Sequence, residues 1–234
     1  NDGAELTEMY RRVRRLGVTT SLDLGMPDAG GPGGQADWRL ILERALPYVD
    51  IFMPSADELL FALDRGRFGM GDELPATDLM ILADRLLGMG PAIVAIKLGS
   101  RGMYIRTGSA ERLSMMGSAM PEELSDWVHR EIWFPILQED RFVGATGAGD
   151  TAIAGFLASL LRGKTLEESG RMANAVGACN VEAPDALGGI RDWEETVARL
   201  ADGWAHVSLD IDDAGWVLGE HGIWLGAHDG VAPG

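Results

Sequence analysis

Short apolar runs alternate with amphipathic helical stretches along most of this chain, and that alternation limits the fold more than any other feature. Residues 49–53 read as a brief buried strand halted by Pro54, residues 92–98 as a central strand, and residues 103–106 as its partner. Around them run helical patterns. Leu6, Met9, Tyr10, Val13 and Leu16 make one stripe that stops at Gly17, before a strand-like segment at 18–24. A Gly/Pro loop spans 29–34, Asp37 caps a helix running to about Leu46, and further helices cover 56–64 and 77–88. Strands joined through helices of this length predict right-handed βαβ units, hence an α/β fold with a mostly parallel sheet flanked by helices on both faces.

Ligands of such sheets bind beyond the carboxyl ends of the strands. Those ends hold Asp23, then Ser55 to Glu58, then Lys97-Leu98-Gly99, and finally a glycine turn before Asp150. From 107 to 140 the pattern loosens into an insertion with some strand near its end. Helices follow at 151–161, at 165–181 behind the capping-box pattern Thr165-x-x-Glu168, and at 192–201. We expect one domain over residues 1–203. The tail, 204–234, has no clear period and no function is assigned to it.

The 234 residues, 46% of them hydrophobic, suffice for one sizeable core. Twenty Lys and Arg against 36 acidic residues give a formal charge of −16, which argues against binding nucleic acid or an anionic membrane. No apolar run reaches the ~18 residues of a membrane span. The single Cys179 excludes an intrachain disulfide, so a cytoplasmic setting is expected. Residue 1 is asparagine and the chain starts in mid-architecture, from which a missing N-terminal piece is expected.

The segment Thr146-Gly147-Ala148-Gly149-Asp150 opens an apolar helix. Glycines let a phosphate approach the backbone, the first N–H groups of a helix have no intrahelical partner, and the helix dipole adds roughly half a positive charge there. An aspartate at the same spot can take a proton from an attacking hydroxyl, a step worth about 10²–10⁴ in rate. The pairing points to phosphoryl transfer.

The run Thr146-Gly147-Ala148-Gly149-Asp150, followed by the small, apolar residues 151–156, resembles the C-terminal signature of the ribokinase-like (PfkB) carbohydrate kinase family. Pro54-Ser55-Ala56-Asp57-Glu58 resembles that family's N-x-x-E motif, 97–102 resembles its nucleotide-side T-L-G-x-x-G turn, and Ala173-Asn174-Ala175 lies in its adenine-flanking helix. The resemblance covers residues 5–200. It implies a ribokinase-like fold without its lid and an ATP- and Mg2+-dependent kinase that phosphorylates a hydroxyl of a sugar or similar small polyol. On that analogy Gly147, Ala148 and Gly149 form the anion hole, Asp150 is the base, and Glu58 organises magnesium through water. Lys97, Gly99, Gly102, Thr146 and Asn174 contact nucleotide, and Asp23 is a substrate candidate. The resemblance leaves a homodimer open. Ser55 replaces the motif's asparagine, and Gly144 stands where many members carry an aspartate near a monovalent-cation site. These departures keep a second reading alive, a catalytically impaired nucleotide- or sugar-binding domain of the same fold with a regulatory or assembly role.

The same residues have plainer readings. Ser55-x-x-Glu58 is also a capping box, Lys97 a strand-end lysine reaching solvent, Asp23 a turn initiator, and Asn174 a cap on buried backbone. The four histidines lack metal-ligand spacing. Gly163-Lys164-Thr165 imitates the end of a Walker A loop, but Ala158 stands where that loop needs glycine. Gly147-x-Gly149-x-x-Ala152 imitates a dinucleotide fingerprint, yet a helix, a break and a helix follow instead of the required second strand.

Overall fold

The computed structural model describes residues 2–211 and 213–231. The chain begins with α1 (Ala4–Arg15), β1 (Ser21–Leu22) and α2 (Trp38–Ala45), followed by β2 (Ile51–Phe52), α3 (Ala56–Leu63) and α4 (Ala76–Gly88). Next come β3 (Ile93–Lys97), β4 (Met103–Thr107), a short α5 (Ala110–Ser114) and β5 (Glu131–Phe134). The long helices α6 (Ala148–Leu160) and α7 (Leu166–Asn180) precede α8 (Trp193–Ala201), and the chain closes with β6 (Val217–Leu218) and β7 (Trp224–Leu225).

Helix starts follow side-chain chemistry. The Asp37, Ser55, Thr165 and Asp192 side chains each accept the backbone N–H three residues on, satisfying an amide that has no partner inside the helix. Around Ser55 and Thr165 the capping box is complete, with Glu58 and Glu168 reaching back to the cap amide.

The seven strands form one sheet in the order β1-β2-β3-β4-β5-β7-β6. Here the expectation of a mostly parallel sheet is corrected. Only β1–β2 and β2–β3 are parallel, while β3–β4, β4–β5, β5–β7 and β6–β7 are antiparallel. For β3–β4 the cause is connection length. A parallel return needs a crossover of about a dozen residues or more, but one 3-10 turn, Gly99–Arg101, separates β3 from β4, and the chain must double back.

Alternate residues of the strands feed two cores, as a sheet buried on both faces requires. Ile93, Ala95, Ile105 and Phe134 face Phe156, Leu160 and Ala173 of the α6–α7 side. Val94, Ile96, Tyr104 and Trp133 face Leu42, Leu59, Leu79 and Leu86 of the α2, α3 and α4 side. β1 is shorter than the strand expected over 18–24. Its forerunner Thr20 is tied to the fully buried Asp50, whose carboxylate accepts the Thr20 N–H at 2.9 Å and hydroxyl at 3.0 Å. Gly155 lets α6 approach α7, and Gly170 lets α7 approach Phe134 of β5, because neither carries a side chain. A Cβ on Gly155 would sit 2.9 Å from the Met172 carbonyl, and one on Gly170 would sit 2.4 Å from the Phe134 ring.

Candidate active site

The parallel strands β1, β2 and β3 end side by side, and a cavity of about 700 Å³ opens at their carboxyl ends. Asp23 follows β1, Ser55 and Glu58 follow β2, and Lys97 closes β3, all on the cavity wall. A backbone link holds the last two ends together, the Lys97 N–H donating to the Pro54 carbonyl at 2.9 Å. Lys97 does not run out to solvent. Its Nζ donates to both carboxylate oxygens of Asp23, at 2.9 and 2.8 Å, with 14% of the lysine side chain and 26% of the aspartate side chain exposed. Sequence reasoning named both residues separately; the structure pairs them.

Opposite this pair stands the glycine turn. Gly147 takes a left-handed conformation, φ 79°, and its missing Cβ leaves room for Ala186, which such an atom would approach to 2.6 Å. From Ala148 the chain is helical, so Gly149 and Asp150 lie in the first turn of α6. Their N–H groups find no acceptor among the described residues, whereas the Thr151 N–H already bonds to the Gly147 carbonyl at 2.9 Å. Gly147, Ala148, Gly149 and Asp150 all line the cavity, and Asp150 is exposed. The Lys97 ammonium sits beside the turn, 3.5 Å from where a Cβ on Gly149 would stand. Unpaired amides, a helix N-terminus and an ammonium thus converge on one spot, a combination that stabilises an anion with a carboxylate at its edge.

The remaining candidates divide. Gly99 and Gly102 line the cavity in the β3–β4 turn with φ of 54° and 87°. A Cβ on Gly102 would come within 2.0 Å of the Phe134 carbonyl, so glycine is obligatory there. Asn174 reaches the cavity wall, but its Nδ2 donates to the Phe134 and Pro135 carbonyls at 2.8 and 2.9 Å, leaving only Oδ1 to offer a ligand. Thr146 is exposed and is not among the cavity-lining residues.

Glu58 lines the cavity while serving its helix, its Oε2 accepting the Ser55 N–H at 2.7 Å. Among the described residues no three His, Cys, Asp or Glu side chains gather to hold an ion. Glu58 is a carboxylate on the cavity wall that could meet a magnesium ion, which binds through one or two carboxylates together with water and substrate phosphates.

Sequence reasoning missed the apolar wall, made by Met103, Ile136, Leu137, Ala178, Val181 and the 62%-exposed Phe142. Apolar side chains at a site look like core residues in a sequence, and the one signal was position, since 136–142 follow directly on the β5 end.

Comparison with known proteins adds independent findings. Residues 32–192 match the sequence profile described as pfkB family carbohydrate kinase. An uncharacterized sugar kinase of Archaeoglobus fulgidus is 30% identical over 189 residues, 81% of this chain and 60% of that protein. Among solved structures, aminoimidazole riboside kinase of Salmonella enterica, complexed with aminoimidazole riboside and an ATP analog, superposes with a TM-score of 0.58 at 25% identity. The match covers 82% of this chain and 55% of that one. Ribokinase of Arabidopsis thaliana, complexed with ribose and ATP, superposes at 0.57 with 22% identity over 84% of this chain and 52% of that one, which establishes the ribokinase-like fold. This chain therefore spans between 52% and 60% of the length of these relatives.

Proposed function

The chain belongs to the pfkB family of carbohydrate kinases, and from that premise we propose that it carries the phosphoryl-transfer end of an ATP-dependent kinase acting on a hydroxyl of a sugar or similar small polyol. The observation that carries this reading is the convergence on one cavity of the free Gly149 and Asp150 amides, the Lys97 ammonium and the exposed Asp150 carboxylate. The riboside and ATP analog of the Salmonella enterica relative support it.

In this reading the γ-phosphoryl of ATP settles at the 147–149 turn against the Gly149 and Asp150 amides, the Ala148 N–H being already bonded to the Ala145 carbonyl at 3.1 Å, with Lys97 neutralising charge from the side. The substrate alcohol attacks phosphorus, the bond to the ADP oxygen breaks, and the alcohol proton passes to the Asp150 carboxylate. Little covalent chemistry is asked of the protein, because phosphoryl transfer depends mainly on positioning and charge stabilisation. Magnesium, carried in on the nucleotide, would neutralise developing charge near Glu58. The Gly99–Gly102 turn and the apolar wall would hold the nucleotide, and Asp23, kept in place by Lys97, would face the polyol.

The test is ADP release over a panel of sugars and polyols, wild type against Asp150→Asn, with ATP affinity measured in parallel. We expect the asparagine variant to keep ATP affinity and to lose about 10²–10⁴ in turnover. Equal turnover by both would refute the assignment of Asp150. A second reading, a nucleotide- or sugar-binding domain with a regulatory or assembly role, is favoured by Ser55 at the asparagine position of the N-x-x-E motif. It prevails if ATP and a sugar bind while no sugar raises ADP above background.

A further inference from the structure

A second cavity, about 600 Å³, lies between the α6–α7 pair and the segment 193–221, and it shares no residue with the first. We infer that it is a separate ligand site for a small molecule bearing a phosphate or carboxylate on an apolar or aromatic body. This inference goes beyond the kinase reading and does not depend on it. Most of the lining, including Trp193, Trp204, His206 and His221, falls outside the stretch 32–192 that matches the kinase family.

Charge selects the ligand. Lys164 and Arg171 bring positive charge to this cavity beside the His206 and His221 rings, burial and the nearby Arg171 holding the His206 imidazole below its ordinary pKa, and Glu168 is the one carboxylate among its lining residues. Glu168 is already engaged, accepting the Thr165 N–H at 2.9 Å and the Lys164 ammonium at 3.2 Å. Arg171 makes no hydrogen bond or ion pair to any described residue, and its Nε is sealed from solvent without a partner, as is the Ser159 hydroxyl of the same cavity. A partly buried guanidinium with nothing to bind is unfavourable unless an anion completes it.

Shape selects the rest. Met172, Val197 and Leu200 join the two indoles in lining the space. The indoles are held before any ligand arrives. The Arg162 guanidinium lies over Trp193 at 4.2 Å, that of Arg199 lies over Trp204 at 3.5 Å, and Trp204 Nε1 donates to the Gln138 carbonyl at 2.6 Å. Strain marks the rim, where His221 has a left-handed φ of 55°, a conformation that is unfavourable for a non-glycine residue and that concentrates at ligand sites. Next to it, Gly222 leaves space for the His206 ring, which a Cβ there would approach to 2.6 Å.

A short polar path joins the two cavities. His206 Nδ1 lies 3.5 Å from the Pro135 carbonyl, and that carbonyl also accepts the amide of Asn174, which lines the first cavity.

The chain labelled with 5-fluorotryptophan tests the inference by fluorine NMR, because no tryptophan lines the first cavity. Titration with phenyl phosphate, and separately with benzoate, should shift the Trp193 and Trp204 resonances saturably, each assigned by its Trp→Phe variant. The tighter probe identifies the headgroup. Arg171→Gln should weaken that binding by about tenfold or more, the loss of a charge-assisted hydrogen bond. Should Arg171→Gln fail to fold, Lys164→Gln decides, a clear weakening supporting the site and an unchanged affinity overturning it. Shifts that stay linear with either probe, or an Arg171→Gln protein that folds and binds as tightly as wild type, overturn it as well.

Discussion

Gly102 and Gly149 line the same cavity and are glycines for opposite reasons, which makes them a sensitive pair of probes. At Gly102 a positive φ of 87° coincides with a carbonyl 2.0 Å from the absent Cβ. Gly102→Ala should therefore destabilise the fold by about 1–3 kcal/mol or more, read as a lower urea midpoint. Gly149 sits in the first turn of α6, and a Cβ there meets only the Lys97 side chain at an ordinary 3.5 Å. Alanine favours helix over glycine by about 0.5–1 kcal/mol, so Gly149→Ala should raise the urea midpoint. If phosphate rests on that turn, the same variant should bind ATP more weakly. A variant more stable and equally tight for ATP would show that no phosphate approaches Gly149. The turn was legible in the sequence because backbone donors need only glycines and a helix start. The Lys97–Asp23 pair was not, since 74 residues separate two side chains that meet only when β1 and β3 flank β2.

At the scale of the element, α3 holds the sharpest ambiguity, because one carboxylate serves as capping partner and as metal candidate. Glu58 closes the capping box with Ser55, and glutamine can close the same box. Glu58→Gln should keep stability within ~0.5 kcal/mol of wild type, while Glu58→Ala should lose about 0.5–2 kcal/mol. If the charge also organises magnesium, both variants should need more Mg2+ for half-maximal turnover. A Glu58→Gln enzyme with unaltered magnesium dependence would leave Glu58 a capping residue alone. Caps of this kind explain why helix positions were readable: Asp37, Ser55, Thr165 and Asp192 act through neighbours three residues away. Strand direction was not readable in the same way. It is decided by the Gly99–Arg101 turn and by distant partners, and residues 107–130 hide α5 because five helical residues show too little of a 3.6-residue period.

For the whole molecule, the C-terminal segment is where sequence and structure diverge most, since a stretch without period supplies two strands of the sheet. β7 pairs with β5 through Ile132↔Leu225 and Trp133↔Trp224, and Trp216 packs against Trp133 and Tyr104 at ring separations of 5.9 and 6.1 Å. Two-residue strands carry no readable alternation, and β7 is placed by Ile132 and Trp133, about 90 positions earlier in the chain. The segment also completes buried polar groups. Glu131, 2% exposed, accepts the Tyr104 hydroxyl at 2.7 Å and the His228 N–H at 2.9 Å, while Asp229 accepts both the Glu131 N–H and Arg130 Nε at 2.8 Å. Ending the chain after Gly203 would bare the β5 edge, strip Arg130 of an anion and leave the buried Glu131 carboxylate short of a donor. Removing one partner from a buried charge alone costs about 3–5 kcal/mol. Since ~1 kcal/mol moves the Tm of a domain this size by about 2–4 °C, the shortened protein should melt at least ~6 °C lower and aggregate through the exposed strand. Differential scanning calorimetry with light scattering measures both effects. An unchanged Tm would mean that the segment lies on the sheet without stabilising it.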